Sequence, residues 1–305
     1  MKISILINSR NRFEVLARCL RRALTQDYPD FEVLVLDDFS TTPLAGLIAA
    51  EFTDSRLRCF RSEQALGVAG GRNFLMQQAA GDIFCLIDDD AVFADDHALA
   101  RFAAAFDQFP QAGILTAKII NHYPHKTTLN VPFSKGWLKK RPELVDTPGK
   151  VSYFLGTCHA ICRRVMNRCQ SYRGDMMFGE EELDLSYQAI EQGFEIMYLP
   201  QVVAHHFPQP SVVGRPAGRK QRSESFYHVR NRFFLAYKYL PLGYIPVYLT
   251  LRLGICAVEA IRAGTFMDFL AGLVSGVRQL KTLSRTPLGP AAVRYQKNHY
   301  GRLWY

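Results

Sequence analysis

Short apolar runs alternate with helical-period stretches along the first 120 residues. Residues 3–7 read as a buried strand. Leu16, Cys19, Leu20, Ala23 and Leu24 then share one helical face. Residues 31–36 form a second strand, ended by Asp37-Asp38, and residues 57–60 a short third. Gly70-Gly71 opens a helix through Ala79, and residues 83–87 form a strand ended by Asp88-Asp89-Asp90. A helix over 96–109 leads to a strand at 113–117. This alternation predicts an α/β fold with a mostly parallel sheet and helices on both faces. Such sheets bind ligands beyond the carboxyl ends of their strands, and two acidic clusters stand at two such ends.

Residues 121–150 are polar, basic and proline-containing, and predict a connection or substrate-facing loop. Regular structure resumes near Val151, with a helix over 181–192 and a strand over 194–199. Residues 207–224 carry prolines, glycines and basic side chains, a loop pattern. From Phe226 the chain turns apolar. Residues 240–261 are broken by Pro241, Pro246 and Arg252, and residues 264–282 form a second apolar-rich stretch. Arg252, Arg262, Arg278 and Lys281 punctuate both, which fits helices lying on a membrane face as well as a helical subdomain packed on the core. No uninterrupted stretch of about 18 apolar residues occurs. The expected division is 1–120, 121–225, and a helical region 226–305 that either lies on a membrane face or packs on the core.

Composition narrows this reading. The chain of 305 residues is 48% hydrophobic and carries a net charge of +9, which excludes disorder and suggests an anionic partner. Seven scattered cysteines make no CxxC pair, so a reducing cytosol is expected rather than a disulfide framework. No signal peptide pattern opens the sequence. The aromatics do not interleave with basic strips, and no nucleic-acid module is visible, so no nucleic-acid partner is expected.

Five constellations carry candidate chemistry. Asp88, Asp89 and Asp90 repel one another, which a fold tolerates best where a cation gathers them; Mg²⁺ or Mn²⁺ bridging to phosphate fits such carboxylates. Asp38 at its strand end can accept hydrogen bonds from a base or ribose, or cap a turn. Gly67, Gly70 and Gly71, followed by Arg72-Asn73, form a loop-to-helix entry that can approach a diphosphate, with Arg72 pairing to phosphate or to an acidic cluster. Glu180-Glu181-Glu182-Leu183-Asp184 opens a helix with more carboxylates than capping needs, which suits a general base. His205-His206 offers an imidazole to complete a metal site with Asp90.

Together, in this order, these features resemble the inverting family 2 glycosyltransferases with the GT-A nucleotide-binding fold, over roughly residues 1–240. The most specific piece is Gly67 to Asp90, similar to "G-x-x-x-x-R-N…A-x-G-D…D-D-D". Gln26-Asp27-Tyr28 to Ser40, Phe178 to Leu185, Pro200 to His206, and Val229-Arg230-Asn231-Arg232, a segment of bacterial lipopolysaccharide-type members, also resemble family segments. The resemblance implies a nucleoside-diphosphate sugar donor, a glycan or lipid-linked acceptor, and a cytoplasmic protein peripheral on the inner membrane face. It implies donor contacts from Asn8, Ser9, Arg10, Asp38, Arg72, Asp88 and Asp89. It implies metal binding by Asp90 with Asp88 and with His205 or His206, and a base at Glu182 with Glu181 beside it. Asn8-Ser9-Arg10 replaces the Pro-Thr-Tyr of many members, Phe39 a usual glycine, and Glu182 the usual aspartate. The Q-x-x-R-W motif of polymerising members is absent, so single-sugar transfer is expected. Arg215, Arg219, Lys220 and Arg222 are expected to meet an anionic, lipid-linked acceptor. The competing readings are a nucleotidyltransferase, which would want a glycine-rich loop that residues 3–12 lack, and a non-catalytic nucleotide-sugar-binding module.

Overall fold

The computed structural model describes residues 1–176, 179–209 and 222–301. The first part runs β1 (Ile3–Ser9), α1 (Phe13–Leu24), β2 (Phe31–Asp37), α2 (Leu44–Glu51), β3 (Leu57–Arg61), α3 (Gly67–Gln78), β4 (Ile83–Ile87), β5 (Ala91–Phe93) and α4 (Ala98–Gln108). The middle continues as β6 (Ala112–Tyr123), β7 (Lys126–Asn130), α5 (Lys135–Lys140), β8 (Gly149–Val151), β9 (Cys158–Cys162), α6 (Arg163–Arg168), α7 (Glu181–Glu191) and β10 (Glu195–His206). The last part is helical: α8 (Glu224–Tyr239), α9 (Ile245–Arg262), α10 (Phe266–Gln279) and α11 (Pro290–Asn298).

One sheet runs in the order β3-β2-β1-β4-β9-β6-β10-β5, with β7 on β6 and β8 on β10. The expected parallel arrangement holds from β3 to β4. Beyond it the sheet is mixed: β9 lies antiparallel between β4 and β6, while β6 and β10 are parallel. Strands β1, β2 and β4 are apolar throughout because both faces are covered; Ile3, Ile5, Val33 and Val35 are fully buried. The seven cysteines are free.

Two expectations need correction. Residues 121–150 are not one connection, since β6 continues to Tyr123 and returns as β7, with β8 further on. The pattern hid this because β7, Lys-Thr-Thr-Leu-Asn, pairs only with β6 and is mostly exposed, so no apolar alternation marks it. The strand expected to end at Leu199 runs through Pro200 to His206. Its register against β6 shifts between Leu199 and Val203, and that irregularity accommodates a residue with no N–H to donate.

In the C-terminal part, α9 and α10 both pack on α8, with Val229, Cys256, Ala260 and Phe269 forming a small cluster of their own. Gly272 and Gly276 let α10 approach closely. A Cβ at Gly272 would stand 2.7 Å from the Phe226 carbonyl oxygen, and one at Gly276 2.9 Å from the Phe233 Cβ. Residues 242–262 are long and apolar enough to cross a membrane, by length and composition alone. Pro246 and Arg252 interrupt the apolar run without ending the helix, because a proline in the first turn removes no helical hydrogen bond.

Candidate active site

β4 ends at Ile87, and the chain turns through Asp88-Asp89-Asp90 into β5. Ligand atoms of Asp88, Asp90 and His206 lie within 4.8 Å of one another. His206 comes from the end of β10, antiparallel to β5 and opposite Ala91. Its Nε2 stands 3.1 Å from Asp90 Oδ1, and its Nδ1 2.8 Å from Asn121 Oδ1 on β6. The Asn121 amide nitrogen is turned to Thr128 Oγ1 at 3.4 Å, so its oxygen is the acceptor and Nδ1–H of His206 the donor. Burial would lower the pKa of the His206 ring, but its hydrogen bond to Asp90 and the Asp90 charge outweigh it and favour a proton on Nε2, whereas a neutral ring would aim the Nε2 lone pair at the carboxylate. Two acceptors at that distance need a proton or a cation between them. The oxygen and imidazole donors suit Mg²⁺ or Mn²⁺, so the residues present fit the expected ion.

His205 does not join this group. Adjacent residues of a strand point to opposite faces, and its Nδ1 meets His122 Nε2 at 2.9 Å instead. Strand phase therefore separates the pair that the sequence left open.

Burial sets the charges. It would raise Asp90, but the hydrogen bond and charge of His206, with Arg12, outweigh it and hold the carboxyl below its ordinary value. Asp89, 2% exposed, is pushed up to about 7 by burial, against the Arg12 charge and the Ser9 hydrogen bond. Ser9 Oγ donates to Asp89 at 2.6 Å. Arg12 reaches Asp89 at 2.6 Å and Asp90 at 3.3 Å. Arg12 was missed as a site residue, because its partners lie 77 and 78 positions away.

Asp38 is placed differently from a free base-binding carboxylate. Its oxygens accept the backbone N–H groups of Leu66 and Gly67 at 2.6 and 2.9 Å, fixing the entry to α3. Asn8 reaches the Gly67 carbonyl at 3.2 Å, and a Cβ on Gly71 would come within 2.5 Å of the Asn8 amide. Asn8 Oδ1 and the Nε and Nη1 of Arg10 are buried without hydrogen-bond partners among the described residues. Such atoms cost about 1–3 kcal/mol each unless a ligand satisfies them.

The opposite wall comes from α7. Gly179 and Glu180 are both left-handed, at φ 72 and 73, and turn the chain into the helix. Glu180 is held by Arg232 of α8 at 2.8 Å, with His228 at 3.3 Å. Asp184 is structural, accepting from Tyr239 at 2.8 Å and Gln188 at 2.6 Å, which accounts for one surplus carboxylate. Glu181 is buried, and burial, then repulsion from Glu182, push it up to about 8. Glu182 is the more accessible of the two and pairs with Arg72 Nη1 at 2.7 Å. Arg72 also meets Asp88 at 3.4 Å and donates to the Gly156 carbonyl at 3.0 Å. One guanidinium therefore bridges both walls of a 450 Å³ crevice, a volume ordinary for a small-molecule site. Apart from His205, every expected site residue lines it. Of the expected basic loop, Arg215, Arg219 and Lys220 lie outside the described residues. Arg222 pairs with Asp268 of α10 at 3.0 Å.

Residues 4–169, more than half of the chain, match the model of glycosyl transferase family 2. The chain belongs to this family. It resembles the Escherichia coli UDP-Glc:alpha-D-GlcNAc-diphosphoundecaprenol beta-1,3-glucosyltransferase WfgD, at 32% identity over 91 residues, 30% of this chain and 36% of that one. The chain thus spans about a third of that relative's length. Among solved structures it resembles S. aureus TarS 1-349 in complex with UDP-GlcNAc, with a TM-score of 0.64 and 15% identity, covering 97% of this chain and 83% of that one. GalNAc-T7 with UDP, GalNAc and Mn2+ gives a TM-score of 0.64 and 16% identity, covering 81% and 50%. The fold is GT-A, as the sequence resemblance implied, and the family is one of glycosyltransferases.

Proposed function

We propose that this family 2 glycosyltransferase moves a single sugar from a nucleoside-diphosphate sugar to a hydroxyl of a lipid-linked or cell-surface glycan, with inversion and with Mg²⁺ or Mn²⁺. One observation carries the reading: Arg72 touches Asp88 and Glu182 at once, so the candidate metal group and the candidate base face each other across one crevice. The acceptor class is supported by the relative that acts on a diphosphoundecaprenol-linked sugar, and the metal by GalNAc-T7 solved with UDP and Mn2+. Residues 1–120 would form the donor half, 121–225 the acceptor half and 226–305 a helical appendage. An acceptor of this kind sets the reaction at the cytoplasmic membrane face.

Asp88, Asp90 and His206 would hold the ion. When bound, it neutralises charge building on the leaving diphosphate. Asn121 keeps the His206 ring oriented. Arg10 and Asn8, with unpaired polar atoms, offer donor contacts. Glu182 takes the proton from the acceptor hydroxyl as its oxygen attacks the anomeric carbon opposite the leaving group. Glu181 keeps its own proton at neutral pH, and Arg72 aims Glu182.

Melting the pure chain with UDP, dTDP, GDP or CDP, with and without Mn²⁺, tests this. One nucleotide at 100 times its Kd should stabilise by about 2.7 kcal/mol, only with metal, and not in Asp90→Ala. Glu182→Gln should keep that shift and lose about 10²–10⁴-fold in turnover. No shift with any nucleotide, or a loss in Glu182→Gln under about threefold, overturns the proposal.

A further inference from the structure

Helices α9 and α10 turn one face inward and leave the other uncovered among the described residues. Inward-facing Cys256 and Ala260 of α9, and Phe269, Gly272 and Gly276 of α10, are buried. The outward positions recur at helical spacing and are apolar: Leu251, Ile255 and Val258 on α9, and Met267, Leu270 and Val274 on α10. Met267 is 76% exposed, and Ile261, at the end of α9, 62%. The two helices touch, are joined through Gly264 at φ 66, and back onto the same α8, so their outward faces form one continuous patch. Soluble proteins seldom expose such a patch unless something covers it.

The charges say what covers it. Residues 242–285 hold five basic side chains against two acidic ones. Arg262, Arg278 and Lys281 are exposed at the helix ends that border the patch. Of the two acids, Asp268 is already taken by Arg222 and the Ser223 N–H. The other, Glu259, is exposed, which leaves three exposed cations against one exposed acid, and pairing this face with a second copy would set two surfaces of like net charge against each other. An anionic lipid surface meets both features: acyl chains for the apolar residues, headgroup phosphates for the cations.

We propose that the α9–α10 hairpin lies flat in an anionic membrane surface. It does so without spanning. The length of α9 would suffice, at about 1.5 Å per residue, but its inner face is committed. Tyr248, Cys256 and Ala260 pack inward, and Arg232, the partner of Glu180, also reaches the Cys256 sulfur at 2.7 Å. A spanning α9 would abandon these contacts and carry Arg252 into the bilayer. The placement deepens the proposed function and rests on it in one respect. Glu224 and His228 of α8 line the crevice, while Val229 and Phe233 of the same helix meet the hairpin. The membrane surface then lies between one and two helix diameters, roughly 10–20 Å, from the proposed acceptor wall, where a lipid-linked sugar can enter.

The test is co-sedimentation of the full chain with vesicles of phosphatidylcholine alone or mixed with phosphatidylglycerol. The wild type should bind the mixed vesicles and bind them less at high salt. R262Q/R278Q/K281Q should weaken that binding about a hundredfold, at about fivefold per cation. Replacing Leu251, Ile255, Met267 and Val274 by Ser should abolish it. Both variants should melt at the wild-type temperature. Equal binding to neutral vesicles overturns the anionic surface. No vesicle binding, with a concentration-dependent dimer that the serine variant loses, assigns the patch to a second copy and overturns the membrane. Retention of the expressed chain in membranes through an alkaline carbonate wash overturns the flat placement in favour of spanning. None of these readouts requires turnover, so failure of the nucleotide melts would refute the proposed function and leave the docking result standing.

Discussion

Glu181→Gln separates the burial of a carboxyl from the chemistry of its neighbour. Glu181 is 5% exposed, its Oε2 has no hydrogen-bond partner among the described residues, and its charged contact, Arg72 Nη1, stands 3.8 Å away. Burial, then the Glu182 charge, raise it from 4.5 to about 8. A raised acid keeps its proton in the folded chain after the unfolded chain has released it. Below pH 4.5 both states are protonated and the group is silent. Through the window from 4.5 to about 8 each pH unit costs the fold up to about 1.4 kcal/mol, and above it the loss is complete. The whole window bounds the loss at about 5 kcal/mol. Glutamine has nearly the same shape and no proton to lose. Urea unfolding of both proteins at pH 5 and pH 8.5 should therefore show the variant gaining about 2–4 kcal/mol on the wild type between the two conditions. Asp89, pushed up to about 7, titrates in the same window but is common to both proteins and cancels. A stability difference that is the same at both pH values would refute the reasoning, because Glu181 would then titrate as it does unfolded.

Asn121→Ala should weaken metal affinity about 10–100-fold by freeing the His206 ring, whereas His205→Ala should leave it unchanged; titration with Mn²⁺ followed by nucleotide melting reads both. Gly156→Ala should lower turnover without unfolding the chain, because a Cβ there runs into the Glu182 carboxylate; kinetics beside a melt separate the two effects. Phe39→Gly should raise stability by up to about 1 kcal/mol, the relief of a left-handed side-chain clash of about 1–2 kcal/mol less the added freedom of the unfolded chain; Phe39 sits at φ 61, and an urea midpoint decides it.

The proposed donor side was legible because its signals are local. One acidic cluster begins on the last residue of its strand and the other directly after it, so one apolar run and the next few letters place each. The usual family glycine at Phe39 also has its reason in the backbone, since position 39 is left-handed whatever residue fills it. What escaped is non-local. Arg12 and Asn121 act on partners 78 and 85 positions distant, and Arg72, expected to meet phosphate or one acidic cluster, meets Asp88 and also Glu182, 110 positions away; no spacing rule reaches that far. The histidine ambiguity had a nearer cause. The strand expected over 194–199 stops short of the pair, and the alternation that sends His205 and His206 to opposite faces is visible only because β10 continues to His206.

The charge of the crevice supports a metal from a direction the triad does not. Asp38, Asp88, Asp89, Asp90, Glu182, Glu224 and a Glu181 that burial raises to about 8 share it with Arg10, Arg12, Arg72, His206 and His228. Arg12 is committed to Asp89 and Asp90, and Arg72 to Glu182 and Asp88. Arg10 keeps two buried nitrogens unpaired among the described residues. A diphosphate entering here meets carboxylates on both walls and one uncommitted guanidinium. One positive charge does not offset that repulsion, whereas Asp88 and Asp90, with His206, would hold a divalent cation that offsets it. Donor affinity, and not turnover alone, should therefore depend on the ion. That is why Asp90→Ala is expected to lose the nucleotide-dependent melt, while Glu182→Gln, on the proposed acceptor wall, is expected to keep it.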